Sequence, residues 1–182
     1  MFTYIIFYYN SNIMNIYDCF MYFDEDLLLD LRLNILDKYV KKFVISEATY
    51  LHSGKEKKLK FDIKNFSKFK DKIIYIVVDK HPPGIQNISS DDIFETKNKK
   101  ILDNSLKREN NQRNQLLNGL QDADENDLIL SSDLDEIPDL SKFKYKNKIT
   151  LFEQKVFYYK FNLMQPNFSW MGTRACKKKK LK

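Results

Sequence analysis

The most chemically suggestive residues of the chain are two aspartates separated by one residue, Asp133 and Asp135. They directly follow the run DLILSS at 127–132, which is typical of a buried strand. In a turn leaving that strand, both carboxylates can face one point. Mg²⁺ and Mn²⁺ prefer oxygen ligands and are often bound by one or two carboxylates together with substrate phosphates. The pattern therefore indicates a site for a metal–diphosphate, with Glu136 as a third candidate oxygen ligand.

Two other interpretations of the same pair stay open. Acidic residues after a strand often cap the next helix, and an isolated Asp-x-Asp is frequent by chance. Phosphohydrolases with an aspartate nucleophile also carry Asp-x-Asp after a hydrophobic strand, with the second aspartate as general acid. They usually carry it on their first strand and continue it with a hydroxyl residue, whereas here Ile137 and Pro138 follow. The phosphohydrolase interpretation therefore ranks second.

The elements that must position the aspartates alternate between short apolar runs and amphipathic stretches. Strands are predicted at 16–23, 43–47, 72–78 and 127–132, a long polar helix at about 103–122, and one long strand or a hairpin at 149–162. A first helix follows the acids at 24–26, with an inner face of Leu28, Leu31, Ile35 and Tyr39. This order predicts an α/β fold with a mostly parallel sheet, in which ligands bind outside the carboxyl ends of the strands.

Composition and charge argue against several classes of protein. The chain has 182 residues, of which 43% are hydrophobic, enough for the core of one domain. Its net charge of +6 is concentrated at the end, because residues 177–182 include five lysines. Without these five, 26 of the 31 basic side chains remain against 25 acidic ones. A nucleic-acid-binding protein normally spreads its positive charge over a folded face, so we expect no nucleic acid partner.

The two ends and the cysteines suggest how the chain is organised and where it works. Two cysteines give no disulfide framework and no zinc set, which favours a reducing, cytoplasmic location. The apolar start is interrupted at Asn10, far short of the roughly 20 residues that span a bilayer. We therefore expect no stable membrane span, an extension outside the core at 1–14, a single domain at 15–175, and a disordered lysine-rich tail at 176–182.

Four blocks of the sequence resemble glycosyltransferase family 17 in collinear order, over roughly residues 15–175. The blocks are IYDCFMYFDEDLLLDLRLNIL, FVISEATYLHSGKEKKLKF, ENNQRNQLLNGL and DLILSSDLDEIP. The resemblance implies a GT-A-like fold with an Asp-x-Asp motif that binds Mn²⁺ or Mg²⁺. It also implies the activity of a β-1,4-mannosyl-glycoprotein 4-β-N-acetylglucosaminyltransferase. Such an enzyme is an inverting transferase that moves N-acetylglucosamine from UDP-GlcNAc to a mannose-containing glycan acceptor.

The resemblance also implies particular site residues. Asp133 and Asp135 match the metal motif, and Asp133 is also expected to contact the nucleotide sugar. Glu47 matches the acidic residue of the second block and would hold a ribose or base edge, or would instead cap its strand. Gly54 and Lys55 match the turn that follows, where they would approach the diphosphate. A solvated lysine run is the alternative for Lys55.

Two arginines complete the matches. Arg113 matches the third block and is expected to bind the nucleotide sugar, although a simple i,i+4 pair with Glu109 would also explain it. Arg32 matches the first block and is expected to pair across the helix layer as a structural residue. No residue is assigned as the general base that must deprotonate the acceptor hydroxyl.

The end of the chain departs from the family pattern. Family members carry further blocks after the Trp-Met-Gly-like stretch at 170–172, and ten residues follow that stretch here. We therefore expect a fold that is incomplete at its C-terminus and binds the donor without efficient transfer. A third interpretation consequently stays open, in which the chain is a nucleotide-sugar-binding remnant without turnover.

Overall fold

The centre of the structure is a six-stranded sheet flanked by helices. In chain order the elements are β1 (Ile16–Met21), α1 (Asp26–Leu36), β2 (Lys42–Ala48), β3 (Ile73–Val78), α2 (Phe94–Gln115), β4 (Leu128–Ser132), β5 (Ile149–Phe157) and β6 (Met164–Lys177), with 3-10 helices at Ile63–Phe69, Leu116–Leu120 and Lys178–Lys180. This computed structural model describes residues 14–158 and 162–181. The predicted extension at 1–14 therefore lies, except for Met14, outside the described residues.

The sheet confirms the predicted α/β class. Its strand order is β3-β2-β1-β4-β6-β5. The pairs β1–β2, β1–β4 and β2–β3 are parallel, whereas β6 runs antiparallel to both β4 and β5. Within the predicted segment at 149–162, strand β5 covers Ile149–Phe157 and pairs antiparallel with β6. The carboxyl ends of four parallel strands thus meet at one edge of the sheet, and the loop carrying Asp133 and Asp135 leaves from there.

Alternating residues of the central strands build a separate core on each face of the sheet. On one face, Phe20 and Ile45 pack under α1, with Leu29 and Leu33 fully buried. On the other face, the neighbouring strand residues Tyr17, Cys19 and Val44 pack against Leu116 and Leu120 of the second 3-10 helix. A fully buried Leu or Phe side chain contributes about 1.5–3 kcal/mol, so both layers hold the sheet rigidly beneath the loops at its carboxyl edge.

The predicted inner face of α1 is correct for Leu28 and Tyr39, which pack against the core, and wrong for Leu31 and Ile35. Leu31 and Ile35 are 40% and 43% exposed, and the buried residues are instead Leu29, Arg32, Leu33 and Leu36. The helix is rotated relative to the prediction because Arg32 points into the protein. A pattern search that seeks only apolar residues assigns an arginine to the solvent side and therefore chooses the wrong stripe.

Helix α2 is longer than predicted at its start and shorter at its end. It begins at Phe94 and ends at Gln115, where the chain tightens into the 3-10 helix. Its buried residues are all polar: Asn104, Arg108 and Gln112, at a spacing of four. An apolar periodicity consequently could not reveal the helix start. None of the helices in the described part of the chain is long and apolar enough to cross a membrane.

The lysine-rich segment at 176–182, expected to be disordered, is ordered through residue 181. Strand β6 continues to Lys177, which pairs with Leu128. The Lys178 amide then donates to the Asp127 carbonyl at 2.9 Å, its ammonium donates to the Ala123 carbonyl at 2.6 Å, and Leu181 packs against the second core. The expected disorder follows from the charge run alone, whereas in the structure an acidic turn at 122–127 lies against that run.

Deleting residues 178–182 should therefore destabilise the protein. The deletion removes main-chain hydrogen bonds to Asp127 and Glu125 as well as the packing of Leu181, so we expect a loss of about 1–3 kcal/mol in the free energy of unfolding. Urea denaturation followed by circular dichroism measures it. Lys180→Ala is the matched control, because Lys180 is exposed, and it should leave the midpoint unchanged. An unchanged midpoint for the deletion would instead support the expectation of a disordered tail.

Candidate functional site

The loop after β4 carries the Asp-x-Asp pair, and the buried side chain of Arg32 holds its backbone. Nη1 of Arg32 donates to the carbonyl oxygens of Asp133 and Leu134, both at 2.9 Å, and of Glu136 at 3.2 Å. The Thr173 hydroxyl of β6 donates to the same Glu136 carbonyl at 2.7 Å. Three carbonyls turned toward one guanidinium fix the path of the loop, in which Asp133 and Asp135 are exposed and Leu134 is buried in the core.

Arg32 is itself held by a buried ion pair with Asp18 at the centre of the sheet. Nε and Nη2 donate to the two carboxylate oxygens at 2.8 and 2.7 Å, and both side chains are 0% exposed. Nη2 also donates to the Ser132 hydroxyl at 2.6 Å, and the guanidinium lies 4.5 Å from the ring centroid of Phe20. Every nitrogen of the guanidinium thus has a partner, which is the condition under which a buried charge is tolerated.

The expectation that Arg32 is structural is confirmed, and its partner Asp18 was missed by the sequence analysis. A signal for Asp18 was present, because it is the one acidic residue within the apolar strand IYDCFM. A carboxylate in such a run requires a cation or several donors nearby. The arginine at the centre of the following helix is the nearest basic candidate in the sequence.

The two aspartates of the loop have different environments. Asp133 is half exposed and accepts a hydrogen bond from Nη2 of Arg113 at 2.9 Å, and the same nitrogen contacts Glu109 at 3.3 Å. Asp135 lies in the cleft and accepts no side-chain hydrogen bond from another described residue. Partial loss of water raises the pKa of Asp135, and the nearby charges of Glu136 and Asp133 act in the same direction. The negative charge of Asp135 is thus less well compensated by neighbouring donors than that of Asp133.

The paired carboxylates of Asp133 and Asp135 fit a cation whose remaining ligands come from the substrate and from water. Among residues 14–158 and 162–181, no three Asp, Glu, His or Cys side chains converge on one point. Glu136, the predicted third ligand, is engaged at both oxygens: one accepts from the Asp133 amide at 2.9 Å and the other from the Trp170 indole. Two carboxylates alone suit an ion such as Mg²⁺ or Mn²⁺ that is completed by phosphate oxygens and water.

A cleft of about 450 Å³ opens beside Asp133 and Asp135 at the carboxyl edge of the sheet. Ligand pockets commonly fall in this range of volume. It is formed by the ends of β1 and β2, the start of α1, the turn after β2 and one residue of α2. Its walls include Tyr22, Phe23, Tyr50, His52, Lys57 and Gln112. The cleft therefore combines aromatic rings, a cation and an amide next to the paired carboxylates.

Glu47, a predicted nucleotide-sugar ligand, lies inside the protein rather than in the cleft. It is 0% exposed and accepts from the Lys60 and Phe61 amides at 2.8 and 3.1 Å and from the Tyr75 hydroxyl at 2.7 Å. It also forms a salt bridge with Lys57. The binding role predicted for Glu47 is thus not supported, because the carboxylate is used to tie the segment after β2 to the sheet.

The turn after β2 places Lys57, rather than the predicted Lys55, at the cleft. Gly54 has a φ of 93°, and a Cβ atom there would lie 2.8 Å from Cζ of Arg108, so the turn requires glycine for both its conformation and its space. Arg108 supports the turn by donating to the His52 carbonyl at 3.1 Å. Lys55 is exposed and does not line the cleft, whereas Lys57 does. Within a run of lysines, only the fold decides which side chain lies at the cleft.

Gln112, like Lys57, lines the cleft although it was not predicted as a site residue. Its amide nitrogen donates to the Ser46 carbonyl at 3.1 Å, and the Gln112 carbonyl accepts from the Ser46 hydroxyl at 3.2 Å. These bonds attach α2 to the end of β2 and direct the side chain along the cleft wall. The polar stripe of Asn104, Arg108 and Gln112 on one helix face was the available signal.

Removing Arg32 should be far more damaging than removing an exposed arginine. Arg32→Met leaves Asp18 buried without its cation, so we expect a loss of about 3–5 kcal/mol in the free energy of unfolding. Arg174→Met on the exposed side of β6 is the matched control and should cost little. Chemical denaturation compares the two. Adding Asp18→Leu to Arg32→Met should recover part of the loss, and no recovery would contradict the ion-pair argument.

Asp135→Asn should stabilise the folded protein at neutral pH. The raised pKa of Asp135 means that folding favours its neutral form, so this stabilisation is present below the ordinary aspartate pKa of about 3.9 and lost as the pH rises through the raised value. The asparagine variant is free of that loss. Thermal melts should show a higher melting temperature than the native chain at pH 7, with the difference closing toward pH 4. A variant that melts lower at pH 7 would contradict this.

Comparison with known proteins gives a family for this arrangement. The model of glycosyltransferase family 17 matches residues 7–180, a range that contains every helix and strand described above. No curated protein and no solved structure matches the chain. The match includes the loop with the paired aspartates, the turn after β2 and the hairpin of β5 and β6. The chain therefore belongs to glycosyltransferase family 17, and its class of reaction is glycosyl transfer.

Proposed function

We propose that the protein transfers N-acetylglucosamine from UDP-GlcNAc to a mannose-containing glycan, with Mn²⁺ or Mg²⁺ bound at Asp133 and Asp135. The observation that supports this most is the position of these two carboxylates between two cavities. Both line the 450 Å³ cleft, and both also line a groove of about 950 Å³ beside the β5–β6 hairpin. A transferase needs its donor and acceptor to meet at one point, and the aspartate loop, together with Leu28 of α1, borders both cavities.

The smaller cleft has the chemistry expected for a nucleotide diphosphate. Phe23, which is 46% exposed, offers aromatic surface for a base, while the nearly buried Tyr22, Tyr50 and Gln112 complete the wall. Lys57 supplies a positive charge at the cleft wall, oriented by its salt bridge with the buried Glu47. The residue carried over from the family as a diphosphate contact is thus better represented by Lys57 than by Lys55.

The aspartate loop is suited to hold a divalent ion without moving. A bound ion of this kind stabilises the negative charge that develops on the departing diphosphate. Arg32 fixes the loop backbone, and Arg113 fixes one oxygen of Asp133 at 2.9 Å while leaving the other oxygen open. Binding of the ion would therefore cost little free energy of reorganisation, because the positions of its protein ligands are set beforehand.

Inversion at the sugar would follow from attack by an acceptor hydroxyl held in the larger groove. That groove borders the same two carboxylates, so a hydroxyl bound there lies beside the donor site. The phosphohydrolase alternative is less favoured, because it needs Asp133 as a nucleophile and the Asp133 carboxylate is instead ion-paired with Arg113. Membership of a glycosyltransferase family also favours transfer.

The metal should couple to donor binding through Asp135. Isothermal titration with UDP should show affinity at least about tenfold higher in Mn²⁺ than in EDTA, since diphosphate and carboxylates share the ion. Asp135→Ala should abolish that gain. Asp71→Asn is the matched control, because Asp71 lies before β3 at the opposite edge of the sheet and should keep the gain. Equal UDP affinity with and without Mn²⁺ in the native chain would contradict the proposed site.

A turnover assay separates the three interpretations: transferase, phosphohydrolase and binding remnant. The chain is incubated with UDP-GlcNAc, Mn²⁺ and a panel of mannosides, and products are followed by mass spectrometry. A mannoside that gains one N-acetylhexosamine supports transfer. UDP binding with neither product nor UDP release identifies a binding remnant, and phosphate release from a phosphomonoester without sugar transfer identifies a phosphohydrolase.

A further inference from the structure

The larger groove contains an aromatic ring that is tied to the aspartate loop. Trp170 is the one tryptophan of the chain, is 48% exposed, and lines the groove next to Asp135. Its indole nitrogen donates to one oxygen of Glu136, and the other oxygen of Glu136 accepts from the Asp133 amide at 2.9 Å. The ring is therefore fixed by its edge while much of its surface is open to the groove.

A glycine lets the parts of this groove come together. A Cβ atom on Gly172 would lie 2.0 Å from Oε1 of Gln154 and 2.9 Å from Cδ of Glu136. Gln154 reaches across β6 to accept from the Thr173 amide at 3.0 Å, and the Thr173 hydroxyl donates to the Glu136 carbonyl. The hairpin, Glu136 and the ring of Trp170 thus form one hydrogen-bonded unit with the loop of the two aspartates.

The charge of the groove restricts what it can bind. Among the described residues that line it are five carboxylates, those of Asp133, Asp135, Glu136, Asp139 and Glu153, against one lysine, Lys155. Such a surface repels anions. Carboxylates accept hydrogen bonds from hydroxyl groups, and an exposed aromatic face packs against the apolar side of a flat ring. A neutral, hydroxyl-rich pyranose satisfies all of these features, and the volume of about 950 Å³ admits more than one sugar residue.

We propose that this groove binds the neutral glycan acceptor, with one pyranose ring stacked on Trp170 and with Glu136 as the residue that positions the ring. The inference rests on the proposed function and specifies its acceptor side. Glu136 belongs to the aspartate loop, so the same carboxylate that orients the platform also fixes Asp133. The acceptor ring is thereby held at a fixed position relative to Asp133 and Asp135, the proposed ligands of the metal.

The single tryptophan makes the test specific to the site. Mannotriose, titrated in the presence of UDP and Mn²⁺, should cause a saturable change in tryptophan emission. Trigalacturonate, an anionic oligosaccharide of the same length, should cause none at the same concentration. Calorimetry with mannotriose should give affinity that falls at least about tenfold in Trp170→Ala and is largely kept in Trp170→Phe, which retains an aromatic face. The melting temperature of each variant shows that it is folded.

Glu136 is tested by a signature that a purely structural residue would not give. Glu136→Ala should shift the emission of Trp170 to longer wavelength without any ligand, because the indole loses its partner, and should weaken mannotriose binding. Glu136→Gln keeps an oxygen that can accept from the indole, so it should restore most of the native emission and of the mannotriose affinity. Equal effects of the alanine and glutamine variants would overturn the positioning role.

Other outcomes overturn the proposal and can be told apart from failure of the proposed function. Binding of trigalacturonate as tight as mannotriose would refute the charge argument. Binding of a neutral apolar probe such as N-phenyl-1-naphthylamine that mannotriose does not displace, with no response to mannotriose itself, would identify an apolar docking groove instead. No response to mannotriose while UDP still binds with Mn²⁺ refutes the acceptor groove alone. Loss of the UDP response as well refutes the proposed function together with it.

Discussion

The buried ion pair between Arg32 and Asp18 is the constraint on which the functional part of the structure depends. It places a cation at the carboxyl edge of the central strands, where a buried charge is tolerated because every nitrogen of the guanidinium has a partner. Three further partners of the guanidinium are carbonyls of the aspartate loop, those of Asp133, Leu134 and Glu136. The pair therefore determines the rotation of α1 and the path of the loop together.

A fixed backbone with outward side chains suits a site that must hold charge. Arg32 takes up the carbonyls, so Asp133 and Asp135 are directed away from the core. The two differ in compensation: Asp133 has Arg113 at 2.9 Å, whereas loss of water and neighbouring carboxylates raise the pKa of Asp135. Placing two like charges beside a partly dry cleft opposes folding, and the binding of a cation would relieve it. Stability and proposed activity thus make opposite demands on Asp135.

The same loop joins the two cavities through its third acidic residue. Glu136 accepts from the Asp133 amide on one side and from the Trp170 indole on the other. Strand β6 is attached at the same place by the Thr173 hydroxyl. The antiparallel hairpin is thereby connected to the parallel part of the sheet through side chains as well as through the β4–β6 pairing. Small displacements of this loop would consequently alter both cavities at once.

The sequence by itself determined the class of fold, the order of the strands along the chain and the place of the paired aspartates. Runs of β-branched and aromatic residues identify buried strands locally, and the rule for parallel sheets puts the loop after β4 at the ligand-binding edge. The tertiary structure alone decided which charged residues are buried and what they contact. Arg32 meets Asp133 across 101 positions of sequence, Glu47 turns inward to backbone amides, and Lys57 rather than Lys55 faces the cleft. Local periodicity contains no information about such partners, because the free energy of a buried charge depends on groups that only the folded chain brings near it.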